Sequence, residues 1–340
     1  MNRRISVLYP PERDLKAWAQ RNQQFEVPSR WPYGLEELSR PPAVVQAGNL
    51  RTPTLSQALA ARAVPVRLRA LRALPGDVGV TWDENTARLM VAADPRPEMY
   101  SGVIWLPDSV AADPRGRYRR IRSALRKMRK VWVLSRAQLQ PLQQILGKGC
   151  PPVEFVKFGV DKQFFAAQPY PDRPLVLSIG GDRHRDPATL FRALQVVHER
   201  VPSAQIIVQS KSPLPPPPGV EKVAHVSHSE LRELYARASV IAVATANNLH
   251  ASGMTVGLEA MATGRPVVMT RTPGMEDYVN DGVSGFLTAP TDHLDLAAGV
   301  VRLLEQPDLG HRMGLAGRRE VEDGMTTAHL ARRLSELIDV

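Results

Sequence analysis

The sequence predicts an α/β protein of two domains, each built on a parallel sheet covered on both faces by helices. Three observations carry this reading. The chain has 340 residues, too many for one small core and enough for two domains of roughly 150–170 residues each. Short apolar runs alternate with helical patterns of roughly 10–15 residues in both halves, as βαβ units require. The halves also differ in charge: residues 1–170 hold 27 Lys and Arg against 14 Asp and Glu, and residues 171–340 hold 17 against 20. Opposite balances suggest two domains with different partners.

In the first half the expected strands are Ile5–Tyr9, Val78–Trp82, Val103–Leu106, Val131–Leu134 and Val153–Phe158. Helical patterns lie between them at about Glu84–Ala92, Arg115–Arg129 and Arg136–Leu146. Residues 20–75 are rich in proline and arginine and give only a weak reading. In the second half the expected strands are Leu175–Ile179, Ala204–Val208, Val240–Ala244, Pro266–Thr270 and Gly285–Thr288. Helices are expected over Pro187–Arg200, around Ser229–Ala236 and near Thr255–Thr263, then from Asp292 onward, where Leu296, Val300 and Leu304 share one stripe and Leu330, Leu334 and Leu337 another. Pro215–Pro218 reads as a stiff loop between strands.

Composition excludes several classes. At 43% hydrophobic and 23% charged residues the chain is not disordered. No run approaches the ~20 apolar residues of a membrane-spanning helix, and the N-terminus reads as a first strand rather than a signal peptide. The single cysteine, Cys150, rules out an internal disulfide framework and a Cys-cluster zinc site. The expected compartment is the cytoplasm. All eight histidines lie at or beyond His184, so acid–base chemistry in the first half falls to a carboxylate.

The most informative stretch runs from Asn248 to Val268. It follows an apolar strand and opens a helix at Ser252 and Gly253. The unpaired amides and positive dipole of a helix start can bind a diphosphate, here through Ser252, Gly253, Met254 and Thr255. Glu259 falls one to two turns into an otherwise apolar helix, where a carboxylate is costly to bury alone. Its partner is either a ribose diol or an arginine. Past the strand Leu175–Ile179, the turn Gly180-Gly181-Asp-Arg183-His-Arg185 offers two cations for phosphate oxygens. His184 reads as a loop histidine.

The segments Gly257-Leu-Glu-Ala-Met-Ala-Thr-Gly-Arg-Pro-Val-Val268, Gly274-Met-Glu276 and Asn280–Leu287 together resemble the donor domain of retaining GT-B glycosyltransferases of family 4 (glycosyl transferases group 1). The resemblance spans roughly residues 153–325. It implies a GT-B fold, two Rossmann-like domains facing each other across a cleft, with retention of anomeric configuration and no metal or other cofactor. The absence of an Asp-x-Asp sequence agrees with that. By the resemblance Glu259 is the second glutamate of the family's Glu-x7-Glu motif and holds the nucleotide ribose. The first falls on Ala251, a departure that bears on the donor sugar. Arg183 and Arg185 stand for the family's Arg and Lys with compressed spacing. Glu276 either faces the sugar or caps a short helix, and His250 either contacts the sugar beside the Ala251 gap or sits by chance on the surface.

The acceptor belongs to the first half. Asp83 and Asp108 follow expected strands and could orient an acceptor hydroxyl as catalytic residues, or could equally cap helices. Trp31-Pro-Tyr33-Gly offers aromatics for an acceptor pocket or for packing. Arg115–Lys130 holds nine basic residues and no acidic one, with Ile121, Leu125 and Met128 as an apolar stripe. A solvated face, a peripheral contact with anionic membrane and a nucleic-acid patch compete for it, the last being the least favoured. The expected division is an acceptor domain over 1–160, a linker over 161–173, a nucleotide-sugar domain over 174–325, and a C-terminal helix over 326–340 packing back on the first domain. The expected activity is transfer of a sugar from a nucleotide-diphosphate sugar to an acceptor hydroxyl (EC 2.4 class). The alternatives are a catalytically degenerate nucleotide-sugar binding protein and a pseudo-glycosyl coupling enzyme.

Overall fold

The computed structural model describes residues 4–38, 43–51, 74–116 and 118–339. It divides into two compact units: residues 1–24, 29–156 and 328–340 form one, and residues 25–28 and 157–327 the other. Each holds a six-stranded, wholly parallel sheet.

In the first unit the strands are β1 (Arg4–Tyr9), β2 (Val44–Asn49), β3 (Val78–Thr81), β4 (Glu98–Val103), β5 (Lys130–Val133) and β6 (Val153–Phe155), in the order β2-β1-β3-β4-β5-β6. β3 is buried along its whole length, and β1, β4 and β5 at every residue after the first, as two covered faces demand. The helices are α1 (Leu15–Gln23), α2 (Glu84–Ala93), α3 (Leu106–Ala112), α4 (Arg119–Leu125) and α5 (Leu139–Leu146), with α11 (Thr327–Leu337) largely in this unit.

Two expected elements are displaced. The strand expected at Val103–Leu106 ends at Val103, because Leu106-Pro107 opens α3 and proline suits the first helical turn. Asp108 therefore stands in the first turn of a helix rather than at a strand end. The basic run forms only the seven-residue α4, after which the chain turns into β5. Of the apolar stripe, Leu125 and Met128 are buried. Arg126 donates to the Leu146 carbonyl, Arg129 pairs with Glu98, and Lys130 lies 3.7 Å from Glu154, so part of the charge is used internally. Arg117 lies outside the described residues.

The second unit has β7 (Leu175–Ser178), β8 (Gln205–Gln209), β9 (Val220–Val223), β10 (Val240–Val243), β11 (Val267–Thr270) and β12 (Gly285–Thr288), ordered β12-β11-β10-β7-β8-β9. Its helices are α6 (Pro187–Arg200), α7 (His228–Arg237), α8 (Met254–Ala262), α9 (His293–Glu305) and α10 (Pro307–Gly324). The tract Pro215–Pro218 is the loop between β8 and β9. From β7 the chain builds outward through β8 and β9, then returns to β10 on the other flank and builds through β11 and β12. The strand order thus reverses between β7 and β10, and in such sheets ligands bind past the carboxyl ends of that pair. Among the described residues no helix is long and apolar enough to cross a membrane.

Candidate functional site

The loops that follow β7 and β10 meet at this switch point. The turn after β7 begins at Gly180, whose φ of +121° suits glycine. It is pinned to the other loop by two backbone hydrogen bonds, Asp186 N–H to the Ala244 carbonyl and Ala246 N–H to the His184 carbonyl, which together make an antiparallel bridge between Arg185 and Thr245. The Asp186 side chain caps α6. The loop after β10 is held in turn by Asn248, which donates to the Ala246 carbonyl and accepts from the Ser252 amide at 2.8 Å. Gly253, at φ +96°, then starts α8 without any side-chain cap.

Not all four amides expected to receive an anion are open. Ser252 N–H is taken by Asn248 and Met254 N–H by the Ala251 carbonyl. Among the described residues the amides of Gly253, Thr255 and Val256 have no acceptor. The open set is therefore shifted along the first turn.

Arg185 lies against these amides. Its Nη2 donates to the Ile179 carbonyl at 3.0 Å, while Nε and Nη1 are out of solvent and unpaired among the described residues. The guanidinium is walled by glycines: a Cβ at Gly180 would collide with it, and one at Gly253 would come within 2.7 Å of Nη1. Burial lowers its pKa, while the charges of Asp182 and Glu259 oppose that fall. A cation with two donors out of solvent and unsatisfied needs an acceptor. Arg183, its sequence neighbour, is exposed on the same turn, and Gly181 is open.

Glu259 is 8% exposed. Its Oε2 accepts from the Tyr235 phenol of α7 at 2.9 Å, and Oε1 accepts nothing among the described residues. No ion pair joins it to an arginine among those residues. Burial pushes its pKa up to about 7, with the Tyr235 hydrogen bond and the Arg185 charge pulling the other way. Tyr235 is fully buried, and burial followed by the Glu259 charge keeps its phenol protonated as a donor. Sequence reasoning missed Tyr235. Its only signal was an apolar stripe with Leu231 on α7, which reads as core.

His250 is not a surface residue. It is 4% exposed, its ring meets that of His184 edge-on at 4.8 Å, and its Nε2 lies 3.6 Å from Asp182. Glu276 is exposed and pairs with Arg271 at 3.0 Å, and Arg271 also binds Asp281. It lies in the one-turn helix Met275–Asp277 and lines a surface cavity of about 600 Å³ with Lys157, Tyr278, Asp281, Glu320 and Asp323.

In the first unit Asp83 caps α2, accepting from the amides of Asn85 and Thr86 and from the Thr86 hydroxyl. The neighbouring Glu84 is buried and accepts from the amides of Ile104 and Trp105, tying α2 to the start of α3. Tyr33 stacks on Trp82 at 4.2 Å, so that aromatic packs within the unit.

This geometry can be set beside known proteins. Residues 173–306 match the sequence profile described as glycosyl transferases group 1. That match falls within the second unit. Over 163 residues, 42% of this chain, it is 31% identical to the D-inositol 3-phosphate glycosyltransferase of Streptomyces griseus. Over 99 residues, 29% of the chain, it is 34% identical to the glycogen synthase of Mycobacterium tuberculosis. The matched stretches span 34% and 23% of those relatives' lengths. The fold extends further than this glycosyl transferases group 1 match. Sucrose-phosphate synthase from Thermosynechococcus elongatus superposes with a TM-score of 0.71 at 16% identity, covering 99% of this chain and 98% of that one. HepE from Anabaena, solved with UDP-glucose, gives 0.69 at 14%, covering 99% of each chain. The fold class is thus GT-B, with two α/β units.

Proposed function

We propose that the protein is a retaining glycosyltransferase that moves a sugar from a nucleotide-diphosphate sugar to an acceptor hydroxyl. The observation that carries this is the Arg185 guanidinium, with two buried donors unsatisfied, facing the open amides of α8. The pyrophosphate of the donor suits both groups, and both stabilise it further as it gains charge on leaving. Glu259, further along the same helix, keeps Oε1 for a ribose hydroxyl while Tyr235 holds Oε2. The solved relative HepE carries UDP-glucose, which makes UDP-sugars the first donors to try. The acceptor is a small molecule, a glycan or a glycolipid.

In this mechanism the bond from the anomeric carbon to the diphosphate oxygen breaks first. The acceptor oxygen attacks from the same face, and its proton passes to a departing phosphate oxygen. Arg185 and the α8 amides hold the leaving group, and Glu259 fixes the nucleoside. A second reading, a nucleotide-sugar binding protein without transfer, draws on the alanine at position 251.

The test begins with thermal shift against UDP-, GDP-, ADP- and dTDP-sugars, since binding to the native state raises the melting temperature. The ligand that binds is then assayed for release of the diphosphate and for the anomeric configuration of the product. Donor binding with release of nucleoside diphosphate is the expected result. No shift with any donor overturns the reading, and binding without transfer or hydrolysis leaves the second reading.

A further inference from the structure

We propose that Asp182, His184 and His250 form a binding site for a divalent transition metal of the zinc class. The turn after β7 supplies Asp182 and His184, and the loop after β10 supplies His250. Asp182 Oδ1 lies 3.5 Å from His184 Nδ1 and 3.6 Å from His250 Nε2, and one ligand atom from each of the three residues falls within 4.8 Å of the others. Ligand atoms around a tetrahedral zinc with bonds of about 2.0–2.1 Å stand about 3.3–3.4 Å apart. The two Asp–His pairs therefore need to close by only a few tenths of an ångström.

The donor set selects the metal. Two imidazoles and one carboxylate suit zinc and its spectroscopic substitute cobalt, and hold too few oxygens for calcium or magnesium. Three protein ligands leave a fourth position for water or another oxygen.

The ligands are also held from behind, as metal ligands require. The Ser252 hydroxyl donates to Asp182 Oδ1 at 2.7 Å, and the His184 amide donates to the same oxygen at 2.9 Å. The His184 carbonyl accepts from Ala246, and Asn248 clamps both Ala246 and Ser252. His250 is buried between these segments. The Asp182 carboxylate thus takes hydrogen bonds from Ser252 and from the His184 amide. Arg185 acts on the same carboxylate and opposes a dication, and the Glu259 carboxylate offsets it in part. A bound metal would tie the two loops together at the wall of the Arg185 cradle. Metal binding by the free protein does not depend on the donor reading, so either can fail alone.

The experiment uses the full chain without an affinity tag, stripped with a chelator and dialysed. Cobalt(II) is titrated in while the visible spectrum is followed, and zinc affinity is measured by competition with a chromophoric chelator. One saturable equivalent, visible bands of a four-coordinate site and a zinc-dependent rise in melting temperature are expected. His184→Ala and His250→Ala should each weaken zinc by about 100-fold or more, while His293→Ala, on α9, should bind as the wild type. His184 is only half-buried, so its variant keeps the test open if His250→Ala fails to fold. Absence of a saturable site in the wild type, or wild-type zinc affinity in His184→Ala, overturns the proposal.

Discussion

Glu259→Gln should make the unliganded protein more stable, and increasingly so as the pH rises. The wild-type carboxyl is buried in the folded state with its pKa raised from 4.5 to about 7. Because the folded state holds this proton more tightly than the unfolded chain, its contribution to stability is complete below pH 4.5. It is lost as the pH climbs through 7, where the folded protein must ionise an interior acid. The rise corresponds to about 3 kcal/mol of stability lost by pH 8. Glutamine has nothing to ionise and still offers an acceptor to the Tyr235 phenol. Urea unfolding of both proteins at pH 4.5, 6, 7 and 8 should therefore give similar stabilities at the acid end and a gap opening to about 3 kcal/mol in favour of the variant at pH 8. The same variant should bind the nucleotide-sugar more weakly, since a carboxylate accepts ribose hydroxyls and an amide nitrogen does not. A gap that stays constant with pH, or one that favours the wild type at pH 8, refutes the account of this acid as an interior group kept for a ligand.

Donor affinity of the wild type should fall about tenfold from pH 8 to pH 6 as Glu259 protonates; isothermal titration with a nucleotide-sugar, whose diphosphate diester does not titrate there, checks this. Arg185→Ala should lower turnover by about 100-fold and donor affinity by less, read from steady-state kinetics. Gly253→Ala places a methyl group 2.7 Å from Arg185 Nη1 at a φ of +96°, so it should weaken donor binding and cost more than about 1 kcal/mol of stability. Glu84→Gln leaves one of two amide bonds at Ile104 and Trp105 opposed by an NH2 group and should destabilise by about 1–3 kcal/mol in urea unfolding, without altering donor affinity.

The two-unit α/β architecture was legible because buried parallel strands are continuous apolar runs. Leu175–Ser178, Val240–Val243 and Val267–Thr270 fall inside the expected strands. Elements that lack such a core signal were not: β2, on the sheet edge, is half exposed, β9 is partly polar, and α1 has no buried residue. Around α3 the apolar run Val103–Leu106 is shared between a strand end and a helix start, and hydropathy alone cannot divide it. At the site, Gly180, Gly253 and Glu259 were legible from residue type and spacing. Asp182 and Tyr235 were not, because each acts across segments: Asp182 on His250 and Ser252, Tyr235 on Glu259. The distinction between Arg183 and Arg185 was also beyond the sequence. It depends on which guanidinium the glycine-lined turn folds inward.

The alanine at position 251 takes on a definite meaning in this setting. Ala251 is fully buried and sits at φ +52°, a left-handed conformation that few side chains tolerate. A glutamate there would share that strain with the alanine and add a buried charge. The polar groups of the neighbourhood come instead from the preceding residue, His250, and from Asp182 on the facing turn, to which Ser252 donates. By contrast Arg185, the α8 amides and Glu259 make up the part of the site suited to diphosphate and ribose, and nothing in that part is altered by the alanine. The departure at position 251 should therefore act on the choice of sugar and on transfer while leaving recognition of the nucleotide intact. A protein that had simply decayed would have no reason to keep an arginine whose Nε and Nη1 are out of solvent and unsatisfied, walled by two glycines, since such donors destabilise the fold when no anion is bound.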